Sequence, residues 1–541
     1  MLTAGDTNWW KGAVIYQIYP RSYQDTTGNG VGDLPGIIDR LDYIADLGVD
    51  GIWISPFFTS PMADFGYDVA DFRDVDPLFG TLADFDRLLE KAHSLGLKVV
   101  IDQIYSHTSD QHAWFEESRQ DRTNAKADWF VWADPAPGGG PPTNWQSFFY
   151  GPAWTWDARR GQYYMHNFLP EQPDLNLWNP DVRAEILDTL RFWLDRGVDG
   201  VRLDAISHYL QDPDFRDNPP KDHPAPAKPS DLQDMVHTVG LPQIADFMAE
   251  IRTVLDAYPE RFAVGEIGGA DPLGQAITYA DPARTLQTYY SFTFLFQGPL
   301  TPTLIRDGLE DASTRHPEGW PTQVFSNHDA TRAVTRWATE GVAAEASPDF
   351  AQLLNLMLLS LRGSVCLYQG EELGLNQTHV PYERLVDPEA IKNWPRTLGR
   401  DGARTPMPWD RSSPHAGFST HEPWLPIDSQ HPALAVDQQD KNDGSTLNLT
   451  RAILAVRKTR PVLKTGEIEF IETNSALLAF DRFNTDERLT CLFNLSDQSI
   501  QFQLDPHRLA ALAKDLPQRG VLEGSCAHLP AHGFLFVERS H

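Results

Sequence analysis

Two segments of the chain share one pattern of apolar and polar positions. Residues 41–56 (LDYIADLGVDGIWISP) and 190–205 (LRFWLDRGVDGVRLDA) each show the end of an amphipathic helix, then Gly-Val-Asp-Gly, then an apolar strand. The second helix has defined ends, because Asn179 can cap it, Pro180 suits its first position and Gly197 suits a left-handed terminal residue. The pattern predicts two helix–strand units.

A third unit of the same kind occupies residues 80–103, with Thr81 as the cap, Gly96 at the helix end and a strand over 97–101. Further apolar stretches predict strands at 262–265, 323–326 and 365–368. Repeated helix–strand alternation is typical of a parallel sheet. About eight such units over roughly 450 residues predict an α/β fold, a (β/α)₈ TIM barrel with insertions, because a plain barrel needs only about 250 residues.

Three stretches depart from this alternation. Residues 108–172 are rich in Gly, Pro, Trp and Asp and predict an inserted domain B after strand three, while 207–240 predict a long loop. Roughly the last 80 residues alternate apolar and polar positions between turn signals, which predicts a C-terminal antiparallel β domain. The predicted boundaries are 1–107 and 173–463 for the barrel (domain A), 108–172 for domain B and 464–541 for domain C.

Composition narrows the classes of partner. The net charge of −30 argues against a nucleic-acid or anionic-membrane partner and favours a neutral substrate. Cys366, Cys491 and Cys526 lack metal-binding spacing and are odd in number, so we expect no disulfide and a reducing compartment. The N-terminal 20 residues show no secretory leader and no apolar run is long enough for a membrane span, so we expect a cytoplasmic protein.

Polar side chains cluster where the predicted strands end. The residues at four of these ends are Asp102 with His107, Arg202 with Asp204, Glu266, and His328 with Asp329. Since TIM-barrel chemistry lies at the C-terminal ends of the strands, we expect these side chains to meet at one mouth. Arg202 and Asp204, two residues apart, share one face of a strand. Burying uncompensated charges costs several kcal/mol each, so a set of this size indicates function.

Eight motifs, in order from about residue 10 to about 410, carry a family resemblance. They are IYQIYPRSYQD, FGYDVADF, DQIYSHTSDQH, EQPDLN, GVRLDAI, VGEIGG, SNHDATR and GRDGARTPMPWD. Together they resemble the α-amylase family of glycoside hydrolases (family 13), and most closely its oligo-1,6-glucosidase/α-glucosidase branch, of which QPDLN at 172–176 is typical. The resemblance implies an enzyme with a barrel, an inserted domain B and a C-terminal β domain.

The resemblance also implies catalytic roles. Asp204 matches the nucleophile, Glu266 the general acid/base, and Asp329 the third carboxylate, which binds sugar hydroxyls. In retaining glycosidases the two reacting carboxyl groups lie about 5–5.5 Å apart. We expect Arg202 to keep Asp204 ionised, and the apolar strand around Glu266 to raise its pKa.

The same motifs imply a substrate pocket. Tyr67 is expected to stack on the sugar, Asp68 to bind hydroxyls of the non-reducing end, and Arg400 to close that subsite. A pair between Asp68 and Arg400 would wall off the pocket, so that only a terminal glucose enters and cleavage is exo. The other residues expected to contact the sugar are Phe168, which lines the pocket, and His107 and His328, which donate hydrogen bonds to hydroxyls.

A structural metal is implied in the first βα loop, which reads DTTGNGVGD where the family has D-x-N-x-D-x-x-x-D. The expected ligands are Asp25, Thr27, Asn29, the Val31 carbonyl and Asp33, an oxygen set that suits Ca²⁺ or Mg²⁺. Two acids replace three, which weakens binding, and a Gly-rich turn without metal is the alternative. Ser106 replaces the family's asparagine, so no metal is expected there, and none is expected to take part in catalysis.

The implied function is that of a retaining, exo-acting α-glucosidase that releases or transfers terminal glucose from short oligosaccharides through a covalent glucosyl-enzyme intermediate. In this branch alanine after the nucleophile, here Ala205, accompanies α-1,4 linkages, and the 207–240 loop is expected to cover the acceptor side. The alternatives are a trehalose synthase or a sucrose isomerase or hydrolase on the same site. An inactive transporter-associated homologue is disfavoured, because such relatives lack the full triad and carry a membrane anchor. The oligomeric state is left open.

Overall fold

The computed structural model describes residues 8–296, 298–339, 347–473, 476–505 and 510–539. Its strands are β1 (Val14–Ile18), β2 (Gly51–Ile54), β3 (Phe58–Thr59), β4 (Asp71–Val75), β5 (Lys98–Gln103), β6 (Trp132–Ala133), β7 (Trp154–Asp157), β8 (Gln162–Met165), β9 (Gly200–Leu203), β10 (Phe262–Glu266), β11 (Thr288–Tyr290), β12 (Pro321–Gln323), β13 (Ser364–Tyr368), β14 (Glu467–Ile471), β15 (Leu477–Phe483), β16 (Arg488–Asn494), β17 (Ile500–Gln503), β18 (Ala510–Leu512), β19 (Val521–Glu523), β20 (Cys526–Leu529) and β21 (Phe534–Arg539). Its α-helices are α1 (Leu34–Leu47), α2 (Leu82–Ser94), α3 (Ala113–Ser118), α4 (Pro180–Arg196), α5 (Ile244–Leu255), α6 (Pro272–Tyr279), α7 (Pro302–Arg315), α8 (Ala333–Thr339), α9 (Pro348–Leu358), α10 (Pro388–Asn393), α11 (Val436–Gln439), α12 (Thr446–Thr459) and α13 (Pro461–Thr465).

A closed parallel barrel organises the first 370 or so residues, with strand order β1-β13-β12-β11-β10-β9-β5-β2. The pairing places Asp102 of β5 beside Arg202 of β9, and Arg202 beside Val264 of β10. All four residues of β9 and all five of β10 are buried. The predicted (β/α)₈ barrel is confirmed, and its register brings the acidic strand ends to one rim.

Local signals in the sequence produce the helix–strand units. The Asn179 side chain accepts a hydrogen bond from the N–H of Asp181 at the start of α4, and Gly197 ends that helix with φ 107°. Thr81 and Asp84 form a capping box on α2. These capping predictions are confirmed, and each cap fixes where a helix stops and the chain turns into the barrel.

The seventh strand differs from its prediction. A strand was expected over 323–326, but β12 ends at Gln323. On one side its neighbour β11 pairs only as far as Tyr290 with Thr322, and on the other β13 pairs with Thr322 and Gln323. The residues after Gln323 pair with no neighbouring strand, so the chain leaves the barrel sheet there. His328 and Asp329 therefore lie on a loop.

Smaller sheets lie in the predicted insertion and at the C-terminal end. Strands β6, β8 and β7 form an antiparallel sheet within 108–172. The C-terminal strands form a five-stranded sheet in the order β14-β15-β16-β21-β18 and a three-stranded sheet in the order β17-β20-β19. The strand pairings of these two sheets are antiparallel, as predicted. The domain boundaries themselves stay a prediction.

The cysteines and helices bear on compartment and membrane. Cys366, Cys491 and Cys526 are free thiols, the first two buried. None of the helices in the described residues has the length and hydropathy that a bilayer-spanning segment requires. The first seven residues, part of the stretch considered for a leader, lie outside the described residues.

Candidate active site

One buried arginine joins carboxyl groups from three barrel strands. Nη1 of Arg202 lies 2.7 Å from Oδ1 of Asp102 and 2.6 Å from Oδ1 of Asp204, and Nη2 lies 2.7 Å from Oε1 of Glu266. The Arg202 side chain is fully buried, whereas those of Asp204 and Glu266 are 10% and 11% exposed. Asp204 and Glu266 therefore bind the two neighbouring terminal nitrogens of one guanidinium, and both side chains keep a small exposed fraction.

Burial dominates the proton affinity of these acids. It raises the pKa of Glu266 to about 7, against the lowering effect of Arg202, which confirms the direction expected for this residue. It also raises the pKa of Asp204 to about 7 and that of Asp102 to about 6, although Arg202 lowers both. The expectation that Arg202 keeps Asp204 ionised at neutral pH is therefore corrected, because one cation shared by three carboxyl groups does not offset their burial.

The residue after Asp204 links the two acids through the backbone. Ala205 adopts a left-handed conformation with φ 46° and ψ 41°. Its N–H donates a 2.9 Å hydrogen bond to Oε2 of Glu266. A bulky residue would be strained in this conformation, whereas alanine adopts it at modest cost. The turn therefore fixes the Glu266 carboxyl relative to Asp204.

Asp329, on the loop that follows β12, lies in a more cationic part of the same site. Its Oδ1 is 2.7 Å from Nη2 of Arg404 and 3.7 Å from Nη1 of Arg400, and its Oδ2 is 3.1 Å from Nε2 of His328. Burial acts to raise the pKa of Asp329, but His328 and the two arginines hold it well below its ordinary value. Asp329 is thus an acceptor that stays ionised across the neutral range.

The rings of His328 and Tyr67 stack on each other beside Asp329. The Tyr67 hydroxyl lies 2.5 Å from Nε2 of His328 and donates a 3.2 Å hydrogen bond to Oδ2 of Asp102. The two rings are stacked with centroids 5.4 Å apart. Burial lowers the pKa of His328 to about 3, so its imidazole is neutral at neutral pH. Tyr67 and His328 therefore place a hydroxyl and an imidazole beside Asp329, and neither side chain is charged at neutral pH.

The acid that pairs with Arg400 is Asp64, which corrects the expectation for Asp68. Nη2 of Arg400 lies 2.7 Å from Oδ1 of Asp64 and 2.8 Å from Oδ1 of Asp387. Asp68 instead accepts backbone N–H hydrogen bonds from Ala63 and Asp64. Its carboxylate therefore stabilises the loop rather than facing Arg400.

The backbone between the two aspartates explains this difference. Phe65 and Gly66 both have positive φ, 54° and 109°, and the N–H of Tyr67 bonds back to the carbonyl of Asp64. This tight turn reverses the chain, so Asp64 and Asp68 point in different directions. Spacing alone could not have separated them, because Asp64 stands directly before the motif FGYDVADF, which contains Asp68.

His107 and Phe168 line a further side of the site. Nδ1 of His107 is 2.8 Å from Oγ of Ser106, and Nε2 is 3.0 Å from both the Tyr67 carbonyl and Nε2 of Gln172. The Phe168 ring packs edge-on against His107 with centroids 5.3 Å apart. Burial lowers the pKa of His107 to about 4, so it is neutral at neutral pH. Its role as a donor to sugar hydroxyls stays a prediction.

The first βα loop is closed by its own hydrogen bonds. The Asp25 carboxylate accepts from the N–H groups of Thr27, Gly28 and Gly30. The Asp33 carboxylate caps α1 through the N–H of Gly36. The other hydrogen bonds of the set are Ser419 Oγ–H and Thr27 Oγ–H to Asp25, Thr26 N–H and Oγ–H to Asp33, and Val31 N–H to the Asn29 amide oxygen.

These contacts bear on the predicted Ca²⁺ or Mg²⁺. Each carboxylate oxygen of the loop already accepts two or more hydrogen bonds, so a cation would have to displace several donors. Within the described residues, no group of three or more His, Cys, Asp or Glu side chains is arranged to hold a metal. The Ca²⁺ or Mg²⁺ in this loop stays a prediction, and no chemistry of the site depends on it.

Negative charge exceeds positive charge around the site. The carboxyl groups in the ion-pair network are those of Asp64, Asp102, Asp204, Glu266, Asp329 and Asp387, and the guanidinium groups are those of Arg202, Arg400 and Arg404. Such an excess stabilises positive charge that develops in a transition state. A neutral substrate that becomes cationic at one carbon suits this field.

Of the predicted residues, all but the five loop positions join one hydrogen-bonded or ring-packed network at the barrel mouth, and Asp68 joins it only through backbone N–H groups of the Asp64 loop. Sequence reasoning did not assign Asp64, Asp387 or Arg404 to the site. Arg404 lies in the same GRDGARTPM motif as Arg400, so the motif could have indicated it. Asp387 lies outside the quoted motifs, and its chelation of Arg400 is visible only in three dimensions.

Comparisons with known proteins agree with this geometry. Residues 17–466 match the family profile described as "Alpha amylase, catalytic domain". A Rhizobium meliloti protein named "Probable alpha-glucosidase" is 51% identical over 543 residues, covering 98% of this chain and 97% of that protein. An oligo-1,6-glucosidase of Heyndrickxia coagulans is 38% identical, covering 92% and 94%. The crystal structure of an α-glucosyl transfer enzyme is 49% identical with a TM-score of 0.94, covering 98% and 99%.

Proposed function

This chain belongs to the α-amylase family of glycoside hydrolases, and we propose that it is a retaining, exo-acting α-glucosidase that releases terminal glucose from short oligosaccharides. The observation that carries the proposal is the Arg202 guanidinium, which holds Asp204 and Glu266 side by side at the barrel mouth. A retaining mechanism needs two neighbouring carboxyl groups, one ionised and one protonated. Three carboxyl groups with raised pKa around one cation supply both forms near neutral pH.

The chemistry then follows in two steps. Asp204 attacks the anomeric carbon as the glycosidic C–O bond breaks, and Glu266 gives its proton to the leaving oxygen. In the second step Glu266 takes a proton from water, or from an acceptor hydroxyl, whose oxygen displaces Asp204 from the glucosyl ester. Asp329, ionised throughout, accepts hydrogen bonds from sugar hydroxyls and stabilises positive charge on the ring.

We propose that the side of the pocket formed by Arg400, Asp64 and Phe149 admits only a terminal glucose. Arg400 is clamped by Asp387 and Asp64 and lies 4.7 Å from the ring of Phe149, so this side of the site is closed by protein. Asp64 has its second carboxylate oxygen 3.3 Å from Nε2 of Gln172. We assign to Asp64 and Arg400 the binding of the non-reducing-end hydroxyls.

Asp64→Asn is expected to lower kcat/KM for maltose by roughly 10- to 100-fold, the worth of one hydrogen bond to a charged group. The measurement is steady-state kinetics, with the loss appearing mainly in KM because the contact is made before and during reaction. Asp71→Asn, an exposed aspartate of the same βα loop, is the control and should leave both constants unchanged. An unaltered kcat/KM in the Asp64→Asn variant would show that Asp64 does not bind the substrate.

The pH profile gives a separate prediction. Glu266 must hold a proton to act as the acid, and its pKa is raised to about 7, so kcat/KM should fall as pH rises through that value. On the acid side activity should fall as Asp204 gains a proton. In Glu266→Gln, hydrolysis of an aryl glucoside whose leaving group needs no proton should keep its rate above neutral pH. An alkaline limb of the same shape in that variant would contradict the assignment.

Linkage preference and transfer are finer parts of the proposal. Ala205, as the residue after the nucleophile, supports preference for α-1,4 bonds, and the likeness to an α-glucosyl transfer enzyme supports transfer to sugar acceptors. The test is product identification after separate incubation with maltose, isomaltose and sucrose. We expect glucose and a trisaccharide from maltose, with isomaltose slower. Faster cleavage of isomaltose, or isomerised disaccharide from sucrose as the main product, would overturn this part.

We also propose that the enzyme works in the cytoplasm on small oligosaccharides. Support comes from the three free cysteines, which a reducing compartment maintains. The acidic net charge of −30 is compatible with a neutral sugar substrate.

A further inference from the structure

Three segments that are distant in sequence meet above the glucose pocket. The loop after β9 is fastened to domain B, because Asn144 accepts from the N–H of Asn218 at 2.9 Å and donates to the Asn218 carbonyl at 2.9 Å. In the same region Phe215 packs against both Trp145 and Trp154, with centroids 5.7 Å from each. Loop and insertion therefore form one continuous wall.

The far end of this loop reaches across to the segment that follows β13. Nζ of Lys228 lies 3.0 Å from Oε1 of Glu389, which is in α10, and the two side chains are only 14% and 15% exposed. The same ammonium lies 3.7 Å from the ring centroid of Phe148, in domain B. One lysine thus ties together the β9 loop, the insertion and the β13 loop.

The Phe148 ring beneath this ion pair packs against residues that line the site. Phe148 lies 5.9 Å from the ring of His208 and 6.1 Å from that of Phe168. His208 follows the nucleophile Asp204 by four residues. Its two ring nitrogens are buried and have no hydrogen-bond partner among the described residues. The rings of Phe148, Phe168 and His208 pack against one another and form one wall of the site.

The β13 segment also holds the neighbouring residue of domain B. The Asn393 amide donates a 2.9 Å hydrogen bond to the Phe149 carbonyl, and Arg400 stacks on the Phe149 ring. The pocket end is thereby closed by Arg400 over Phe149, and the opposite side by Lys228 over Phe148. The contact of Arg400 with Phe149 accounts for exo cleavage, and the contact of Lys228 with Phe148 lies on the leaving-group side.

On the basis of the α-glucosidase activity proposed above, we propose that the Lys228–Glu389 ion pair over Phe148 closes the leaving-group side of the pocket and selects disaccharides over longer chains. A leaving group of one glucose lies against the wall that the packed rings of Phe148 and His208 form beneath the ion pair. A longer leaving group has to cross the line from Lys228 to Glu389, so it enters only when the ion pair opens.

The test compares kcat/KM for maltose and maltotetraose. The wild-type enzyme should favour maltose, and Lys228→Gln and the isosteric Glu389→Gln should each raise the maltotetraose-to-maltose ratio by about tenfold, the discrimination that a steric pocket wall supplies. The double charge swap K228E/E389K should bring the ratio back toward wild type. Lys126→Gln is the matched control, since this lysine also lies 3.7 Å from an aromatic centroid, that of Trp129, and should leave the ratio unchanged.

These measurements test the role of the ion pair separately from the proposed α-glucosidase activity. Three results would each overturn the role of the ion pair without affecting the proposed α-glucosidase activity. They are a wild-type enzyme that cleaves maltotetraose as well as maltose, single variants with an unchanged maltotetraose-to-maltose ratio, and a charge swap that does not restore this ratio. A wild-type enzyme that releases glucose from no α-glucoside would overturn both. Glu389→Gln keeps the side-chain volume, so the ratio stays measurable even if Lys228→Gln fails to fold.

Discussion

Asp204→Asn is expected to lower kcat for maltose by about 10⁴-fold or more, the loss seen when an enzyme is deprived of its nucleophile or of a group that acts with it. The amide has nearly the same shape as the carboxylate but cannot form the glucosyl ester. Binding should persist, because Asp64, Arg400 and Asp329 remain in place. The measurements are single-turnover kinetics and glucose affinity by calorimetry.

The same substitution should not destabilise the fold. Asp204 is one of three carboxyl groups around one guanidinium, so its removal relieves repulsion, and we expect a Tm equal to or above that of the wild type. Asp199→Asn is the control, since Asp199 precedes the same strand and is buried against Lys98 and His93 at the other end of the barrel. It should lose stability and keep its kcat. Substantial turnover in Asp204→Asn would refute the assigned nucleophile.

The sequence predicted the parts of this site that depend on local order. Caps at Asn179 and Thr81 act within one helical turn, and the strand ends carrying Asp102, Asp204 and Glu266 follow from apolar runs of ordinary length. Because neighbouring strands of a parallel barrel end at the same rim, such residues converge whatever the intervening loops do. This is why the barrel and its acidic rim were predictable.

Other features depend on backbone direction or on contacts across the fold. The choice between Asp64 and Asp68 depends on two positive φ angles in one turn, at Phe65 and Gly66. The Lys228–Glu389 pair joins residues 161 positions apart. The early end of β12 depends on where its neighbours diverge. Apolar periodicity carries no information on any of these.

The pKa of Asp204 illustrates the same limit in electrostatic terms. The sequence showed one arginine two residues away and suggested a simple ion pair, in which the cation keeps the acid ionised. The fold adds Asp102 and Glu266 to the same guanidinium and removes water from all of them. The cluster, rather than any one acid, therefore sets how many protons are held near neutral pH.

Arg202→Met should be the most destabilising substitution in this region, by about 3–5 kcal/mol at neutral pH, because it leaves a buried group of carboxylates without their cation. Activity should fall as well, since Asp204 and Glu266 lose the group that positions both. Urea unfolding at neutral pH gives the free energy, and circular dichroism shows whether the variant folds. Adding Asp102→Asn should recover part of the loss by removing one unpaired charge.

The dependence of this loss on pH distinguishes charge from packing. Burial already raises the pKa of all three acids above their ordinary values, and loss of the cation raises them further. A carboxyl group whose pKa is higher in the folded than in the unfolded state destabilises the fold as pH rises through that range. The gap between wild type and variant should therefore narrow as pH falls from 7 toward about 5, where the acids become neutral. Arg457→Met removes a buried arginine that donates to the carbonyls of Leu359 and Leu463, and its loss should vary much less with pH over this range. An Arg202 variant that is equally destabilised at both pH values would show that its guanidinium acts by packing and not by charge.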